Sequence, residues 1–263
     1  MMTIFRTDYA VRHLFDDWSQ VASRLRLAPV IAVFLDFDGT LTPLRARPEQ
    51  VTLDREARQV LEDLARSTRF RMWVISGRRQ ADVSERVQVP GIRYLGLHGW
   101  EGRPGIGLDG ETSRWLALLA SCLKTGLADI PGIWIEDKQL ALAIHSRGVT
   151  EEEDVRRAKW IVDEIVGPFA EQFRVASGKS VWEVLPRQFE DKGTAVRQQL
   201  ASLPGSSIAV YVGDDQVDEP AFAALPDGIT VRVGNGPNTL ARYYLRDVAQ
   251  VQDFLNKLRA EFA

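Results

Sequence analysis

A chain of 263 residues, 45% hydrophobic and 26% charged, can bury one large core or two small ones and has the balance of a soluble globular protein. A net charge of −3 gives no reason to expect nucleic acid or an anionic membrane as partner, and no apolar run reaches the roughly 18–20 residues of a membrane span. Cys122 is the single cysteine, so an intrachain disulfide is excluded, and Arg6 and Asp8 stand where a signal peptide needs an apolar core; a cytoplasmic monomer is the default expectation.

In chain order, Val11, Leu14, Phe15, Trp18, Val21 and Leu25 fall near helical spacing and predict an amphipathic helix over 9–27, within an N-terminal extension 1–28. The unbroken apolar run 30–35 predicts a buried strand, and it opens the stretch VIAVFLDFDGTLTPL. Asp36 and Asp38 are two residues apart, so in extended chain both face one space at the strand's end, where open α/β sheets bind ligands. Two such carboxylates repel unless a cation joins them or one holds a proton. Both remedies suit phosphoryl transfer, with one Asp as nucleophile and the other handling the leaving-group proton. Gly39 allows a sharp turn beside the phosphate. The plainer alternative for Asp-x-Asp-Gly is an ordinary turn.

A helix follows over 54–65, capped by Thr52 or Asp54, then a strand over 70–75 that runs into Ser76-Gly77-Arg78. The Ser76 hydroxyl suits a phosphate oxygen, or else a helix N-cap. A third strand over 92–97 ends in His98-Gly99-Trp100-Glu101, whose His98 and Glu101 are pocket candidates against a structural role. This alternation predicts an α/β fold with a Rossmann-like parallel sheet.

The pattern then changes. Helix 111–127, strands 133–136 and 140–146, helix 151–166, and strands 173–176 and 181–185, split by Ser177-Gly178-Lys179, suit a small antiparallel sheet with two helices on one face. Residues 111–185 therefore read as an inserted α+β cap domain, hinged at 102–110 and 186–191, in a core of 29–110 and 186–263. Gly105-Ile-Gly107-Leu-Asp-Gly110 matches GxGxxG but follows no strand directly and reads as linker. Gly178-Lys179-Ser180 lacks a P-loop's first glycine, Phe173 standing there, and precedes a strand.

The core resumes with a helix over 191–200. Lys192 at its start opposes the helix dipole and asks for an anionic partner, unless it is simply solvated. A strand over 208–212 leads into Gly213-Asp214-Asp215-Gln216-Val217-Asp218-Glu219, either a hard-cation site or an acidic turn opening a helix. A strand over 229–233, a loop over 234–237 and a helix over 248–262 complete the chain.

DFDGTLTPL resembles the first motif of the haloacid-dehalogenase-like phosphatases, and its Thr-Pro-Leu continuation resembles the trehalose-6-phosphate phosphatase family. ISGR, HGWE, IEDK…HSR, GKSVWEVLP, DKG and GDDQVDEPAF extend the likeness over nearly everything after residue 30. It implies a haloacid-dehalogenase-like core with Asp36 as nucleophile, Asp38 as general acid and base, and Ser76 and Lys192 on the phosphate. It implies Mg²⁺ held by Asp36, Asp38 and Asp214, with Asp215 and Asp218 in the outer shell. Glu136, Lys138, Arg147, Lys179 and Glu183, with Arg78 and His98, would meet the disaccharide of trehalose 6-phosphate. Leu97 fills a position that is often small, Ser146 stands where Tyr is usual, Val217 where Thr is common and Pro220 where Asp is frequent. The alternatives are another sugar phosphate (sucrose phosphate, mannosyl- or glucosyl-glycerate phosphate), a phosphosugar mutase, or a silent subunit of a trehalose-synthesising complex. A silent subunit should have lost an acid or the lysine, and Asp36, Asp38, Lys192 and Asp214 are all present.

Overall fold

The computed structural model describes residues 11–45, 51–102, 107–234 and 238–263. The first half of the chain forms β1 (Arg12–His13), α1 (Trp18–Leu27), β2 (Ile31–Leu35), α2 (Arg55–Arg66), β3 (Phe70–Ile75), α3 (Gln80–Val87), β4 (Arg93–Leu95) and α4 (Gly110–Gly126). It continues with β5 (Trp134–Asp137), β6 (Leu142–His145), α5 (Glu152–Val166), β7 (Phe173–Gly178) and β8 (Val181–Pro186). The last part contains α6 (Lys192–Leu200), β9 (Ile208–Gly213), α7 (Glu219–Ala223), β10 (Ile229–Val233), β11 (Tyr243–Leu245) and α8 (Val248–Phe262).

Seven strands pair in parallel in the order β1-β11-β10-β9-β2-β3-β4. Every residue of β2 is buried, because helices cover both faces of the sheet. Ile31, Val33 and Leu35 pack with Val21 of α1, Val60 of α2, Val83 of α3 and Phe254 of α8. Ala32 and Phe34 point the other way, toward Val196 of α6 and Phe222 of α7. From β2 the chain builds outward through β3 and β4, then returns to add β9, β10 and β11 on the opposite side. The direction of building switches between β2 and β9, which places a crevice at the C-terminal ends of those strands.

A second sheet, antiparallel in the order β5-β6-β8-β7, lies within the segment between Gly110 and Pro186. Ile144, Phe173 and Val184 on one face pack against Leu119 and Leu123 of α4 and Val162 of α5. Glu136, His145 and Glu183, on the alternate positions, line a cavity above the parallel sheet.

Several boundaries differ from the sequence reading. The helix expected over 9–27 begins only at Trp18; residues 9 and 10 lie outside the described residues. The amides of Arg12 and Leu14 are taken by the carbonyls of Arg242 and Tyr244, so Arg12–His13 becomes an edge strand beside β11. The strand expected over 92–97 stops at Leu95, because Leu97 and His98 adopt left-handed backbone, φ 46° and 60°. The strand expected from 140 starts at Leu142, after Gln139 at φ 64°. β7 runs through Ser177 and Gly178, and the hairpin turns instead at Lys179-Ser180, with Ser180 at φ 59°. Gly105 of the GxGxxG match and the loop residues 235–237 lie outside the described residues, while Gly110 opens α4. Among the described residues no helix is long and apolar enough to cross a membrane.

Candidate active site

Three adjacent strands deliver three polar side chains to the crevice. Asp36 follows β2, Ser76 follows β3 and Asp214 follows β9, and the registers Leu35↔Val74 and Leu35↔Val212 bring these ends level. Strand spacing is about 4.8 Å, so the three groups are near neighbours. The Asp36 amide donates to the Val212 carbonyl at 3.0 Å. Residues 37–42 then fold into a tight turn in which Gly39 has φ 88°. A Cβ at Gly39 would run into the Asp214 carboxylate, so both backbone freedom and close approach require glycine there.

Lys192 starts α6 and is 1% exposed. Its Nζ donates to Asp36 Oδ1 at 2.6 Å and to Asp218 Oδ1 at 2.7 Å, supplying the anionic partners that a lysine at a helix N-terminus requires. Asp218 Oδ1 also accepts the Tyr211 hydroxyl at 2.7 Å, and Oδ2 accepts the Asp215 amide at 2.9 Å. Burial alone would raise the Asp218 carboxyl, but Lys192, the Asp215 amide and the Tyr211 hydroxyl outweigh it and hold it below the usual range. Burial pushes Asp36 well up, assisted by repulsion from Asp218 and Asp214, even against Lys192. Burial also pushes Asp214 up to about 6, although Lys179 Nζ lies 2.5 Å from its Oδ2.

Asp36, Asp214 and Asp218 are buried and offer carboxylate oxygens within 4.8 Å of one another. An all-oxygen donor set of this kind suits a hard divalent cation. Both Asp218 oxygens are engaged by the protein, whereas Asp36 Oδ2 and Asp214 Oδ1 have no hydrogen-bond partner among the described residues.

Asp38 also lines the cavity, held by a two-point fork from Arg78: Nε to Oδ2 at 2.6 Å and Nη2 to Oδ1 at 2.8 Å. Arg78 further reaches Asp82 at 2.8 Å and lies over the Phe37 ring, and its charge is strongly secured by these acids despite its burial. Ser76 Oγ accepts the Arg78 amide at 3.1 Å. The helix behind it, α3, takes Arg79 as N-cap, so Ser76 is not that helix's cap.

The second sheet meets the crevice through buried charges. Lys138 Nζ donates to the Gly77 carbonyl at 2.7 Å and to Glu183 Oε1 at 2.6 Å. Glu183 Oε2 lies 2.5 Å from His98 Nε2. Burial would raise Glu183, but Lys138 and His98 outweigh it and hold the carboxyl far below its usual range. Burial would likewise lower Lys138, yet Glu183 and Glu136 keep its pKa above normal. Glu136 bonds His145 Nε2 at 3.0 Å, and Arg147 Nη1 donates to the Arg45 carbonyl at 2.5 Å. Glu101 turns away: it accepts Arg79 Nε and the Gln80 amide, pinning the start of α3, and is not among the cavity-lining residues.

One cavity of about 570 Å³ is thus lined by Asp36, Asp38, Ser76, Arg78, His98, Glu136, Lys138, Arg147, Lys179, Glu183, Lys192, Asp214 and Asp215. Asp218 sits behind Lys192, fully buried. Val217 is in the wall, Ser146 is buried at the end of β6, and Pro220 occupies the first turn of α7, where proline is tolerated. The sequence reading missed Trp134 and His145 in the cavity wall, and Tyr211 behind it. For Tyr211 a signal existed: a phenol in an otherwise apolar buried strand must find a hydrogen-bond partner.

The trehalose-phosphatase family model matches residues 34–246. The trehalose-phosphate phosphatase of Mycobacterium marinum is 32% identical over 255 residues, covering 89% of this chain and 63% of that protein. This chain therefore spans less than two thirds of the length of that curated relative. The C-terminal domain of a trehalose-6-phosphate phosphatase from C. albicans has the same fold, with a TM-score of 0.82 at 22% identity, covering 97% of this chain and 99% of that one. A haloacid dehalogenase-like hydrolase from Bacteroides thetaiotaomicron shares the fold more distantly, with a TM-score of 0.61 at 14% identity over 87% of this chain and 99% of that one. With its parallel core in the haloacid-dehalogenase-like class and the family match running from within β2 to just past β11, the chain belongs to the trehalose-phosphatase family.

Proposed function

We propose that this protein is a Mg²⁺-dependent phosphatase that hydrolyses trehalose 6-phosphate to trehalose and phosphate through an aspartyl-phosphate on Asp36. The observation that carries the reading is a single cavity with two chemically distinct walls. Asp36, Ser76, Lys192 and Asp214 form a phosphoryl-transfer wall, and Glu136, Lys138 and Glu183 form a polar wall suited to sugar hydroxyls.

Residues 111–185 act in this account as a cap whose sheet closes over the crevice and excludes water. Asp36 attacks phosphorus through its unbonded oxygen while Lys192 holds the other. As the phosphorus–oxygen bond to the sugar breaks, Asp38 delivers a proton to the departing oxygen. It then takes a proton from the water that attacks the aspartyl-phosphate, which frees phosphate and restores Asp36. Arg78 holds Asp38 in position, and an incoming phosphate dianion competes for the same guanidinium, loosening Asp38 for its proton transfer. Ser76 and Lys192 stabilise charge on the phosphoryl oxygens, with Asp218 orienting Lys192. Asp36, the Asp38 backbone carbonyl and Asp214 would hold Mg²⁺, with Asp215 and Asp218 behind them, and the ion would supply charge neutralisation there.

The test is phosphate release from trehalose 6-phosphate, sucrose 6-phosphate and glucose 6-phosphate, with and without Mg²⁺. The reading expects Mg²⁺-dependent release, fastest from trehalose 6-phosphate. Preference for either of the other two esters refutes the substrate assignment.

A further inference from the structure

Trp134 and His145 lie directly opposite one another on β5 and β6. Their rings are stacked, 4.1 Å between centroids and 7° from parallel. Such close, parallel contact at a cross-strand pair fixes both side chains. The His145 ring is held in turn by Glu136, whose carboxylate lies 3.0 Å from Nε2. Burial would raise the Glu136 carboxyl, yet His145 and Lys138 outweigh it and keep it charged. Glu136, His145 and Trp134 thus form a chain in which a carboxylate orients an imidazole and the imidazole backs an indole.

One face of the indole is taken by His145, but Trp134 remains 37% exposed and lines the cavity. An indole held in place by its neighbours and left partly open in a polar cavity offers a fixed apolar contact to a ligand that enters it. Gly132 and Gly148 also line the cavity, and their backbones approach so closely that a Cβ on Gly132 would strike the Gly148 carbonyl.

Position along the strand indicates what the open face meets. Trp134, Glu136 and Lys138 share one side of the β5 segment. Lys138 reaches the Gly77 carbonyl, next to Ser76. At about 3.3 Å per residue, Trp134 stands roughly 13 Å farther from that end along the chain. On this spacing a monosaccharide phosphate anchored at Asp36 would reach the Glu136 row, and a second ring would reach Trp134. A pyranose presents a face of C–H bonds that is apolar and weakly positive, which complements the negative face of an aromatic ring.

We propose that Trp134, backed by His145, is the binding platform for the sugar ring remote from the phosphate, and that it is what makes this cavity prefer a disaccharide phosphate over a monosaccharide phosphate. The proposal rests on the phosphatase reading above and assigns a residue to it. Trp134 takes no part in the chemical step, so its contribution is binding that is equal in ground state and transition state.

The experiment measures kcat and KM of wild type, Trp134→Ala and Trp134→Phe on trehalose 6-phosphate and glucose 6-phosphate. Trp134→Ala should raise KM for trehalose 6-phosphate about tenfold, near the upper end for an aromatic contact, with kcat unchanged. The same variant should leave kcat/KM for glucose 6-phosphate unchanged, which also reports that the protein is folded and that the catalytic wall is intact. Trp134→Phe retains a ring and should recover most of the lost affinity. An unchanged KM for trehalose 6-phosphate, or an equal loss on both esters, overturns the platform while leaving the phosphatase reading standing. A wild-type enzyme that ignores trehalose 6-phosphate but hydrolyses other phosphate esters overturns the reading of the substrate and the platform with it.

Discussion

Replacing Lys192 by Met keeps a long unbranched side chain in α6 but removes the charge that two buried carboxylates share. Lys192, Asp36 and Asp218 are 1%, 6% and 0% exposed, so solvent cannot take over from the ammonium. Breaking a buried ion pair by deleting one partner costs about 3–5 kcal/mol, and here one deletion strands two acids. For a protein of this size, that corresponds to a fall in Tm of about 6–20 °C. The pH dependence follows from the signs of the shifts. Asp218 is held below its ordinary pKa in the wild type, mainly against burial and by Lys192, so it stabilises the fold above the ordinary carboxylate range and that contribution disappears on acidification. Asp36 is raised by burial, so its ionisation destabilises the fold as pH rises, and it does so more strongly without Lys192. The pKa of Lys192 is raised above normal by Asp218 and Asp36 against burial, so its contribution is complete below the ordinary lysine range and neutral pH lies inside its window. The gap between wild type and Lys192→Met should therefore be widest near neutral and mildly alkaline pH and narrow toward about pH 4. Calorimetric melts across pH, in the presence of a chelator so that no divalent cation substitutes for the lysine, measure it. A Tm within about 2 °C of wild type at neutral pH, or a gap that widens on acidification, would refute the reasoning.

Asp36→Asn should keep the fold and lower phosphate release by at least about a thousandfold, because an amide cannot form the acyl phosphate; circular dichroism and a phosphate assay check both halves. Asp214→Asn should behave differently with pH: the folded carboxyl is raised to about 6, chiefly by burial, so its destabilising ionisation begins above the ordinary carboxylate range and is complete once pH has passed that value. Without metal the variant should melt above wild type at pH 8 and level with it near pH 4, and calorimetric titration should show weakened Mg²⁺ binding; a variant that melts lower at pH 8 contradicts the burial argument. Gly39→Ala forces a side chain into left-handed backbone at φ 88° and against Asp214, a cost of about 1–3 kcal/mol before any clash is counted. Loss of Mg²⁺ binding in a folded Gly39→Ala protein is the expected readout, and normal binding would show that the turn has room to spare.

How much could be read without coordinates depended on the physics behind each signal. β2 is an uninterrupted apolar run buried throughout, β3 and β10 are mostly apolar with Arg71, Thr230 and Arg232 as the polar members, and the limits of all three could be read to within a residue. Lys192 announced its need for an anion by standing at a helix start, and Asp36 and Asp218 provide it. β1 and β11 went unseen because RH and YYL are too short to show a period and exist only through pairing at the sheet's edge. The strand was read through to Leu97 because left-handed backbone at Leu has no compositional signature; Gly99 nearby, where a Cβ would strike Ala195, was the available cue. Trp134 and His145 were missed for a related reason. A four-residue edge strand, WIED, does not say which of its faces meets the cavity until the register with β6 and β8 is known. The Arg78 fork on Asp38 joins residues forty positions apart and is a product of tertiary geometry alone.

The central claim is that the carboxylate at the end of β2 becomes covalently phosphorylated. Mixing the full chain with Mg²⁺ and trehalose 6-phosphate labelled in its phosphate, quenching in acid within a turnover, and mapping the peptides would test it most directly. The account predicts acid-stable, base-labile label on the peptide containing Asp36, and none in Asp36→Asn. Phosphate released at full rate with no protein-bound label, or label on a different residue, would contradict it.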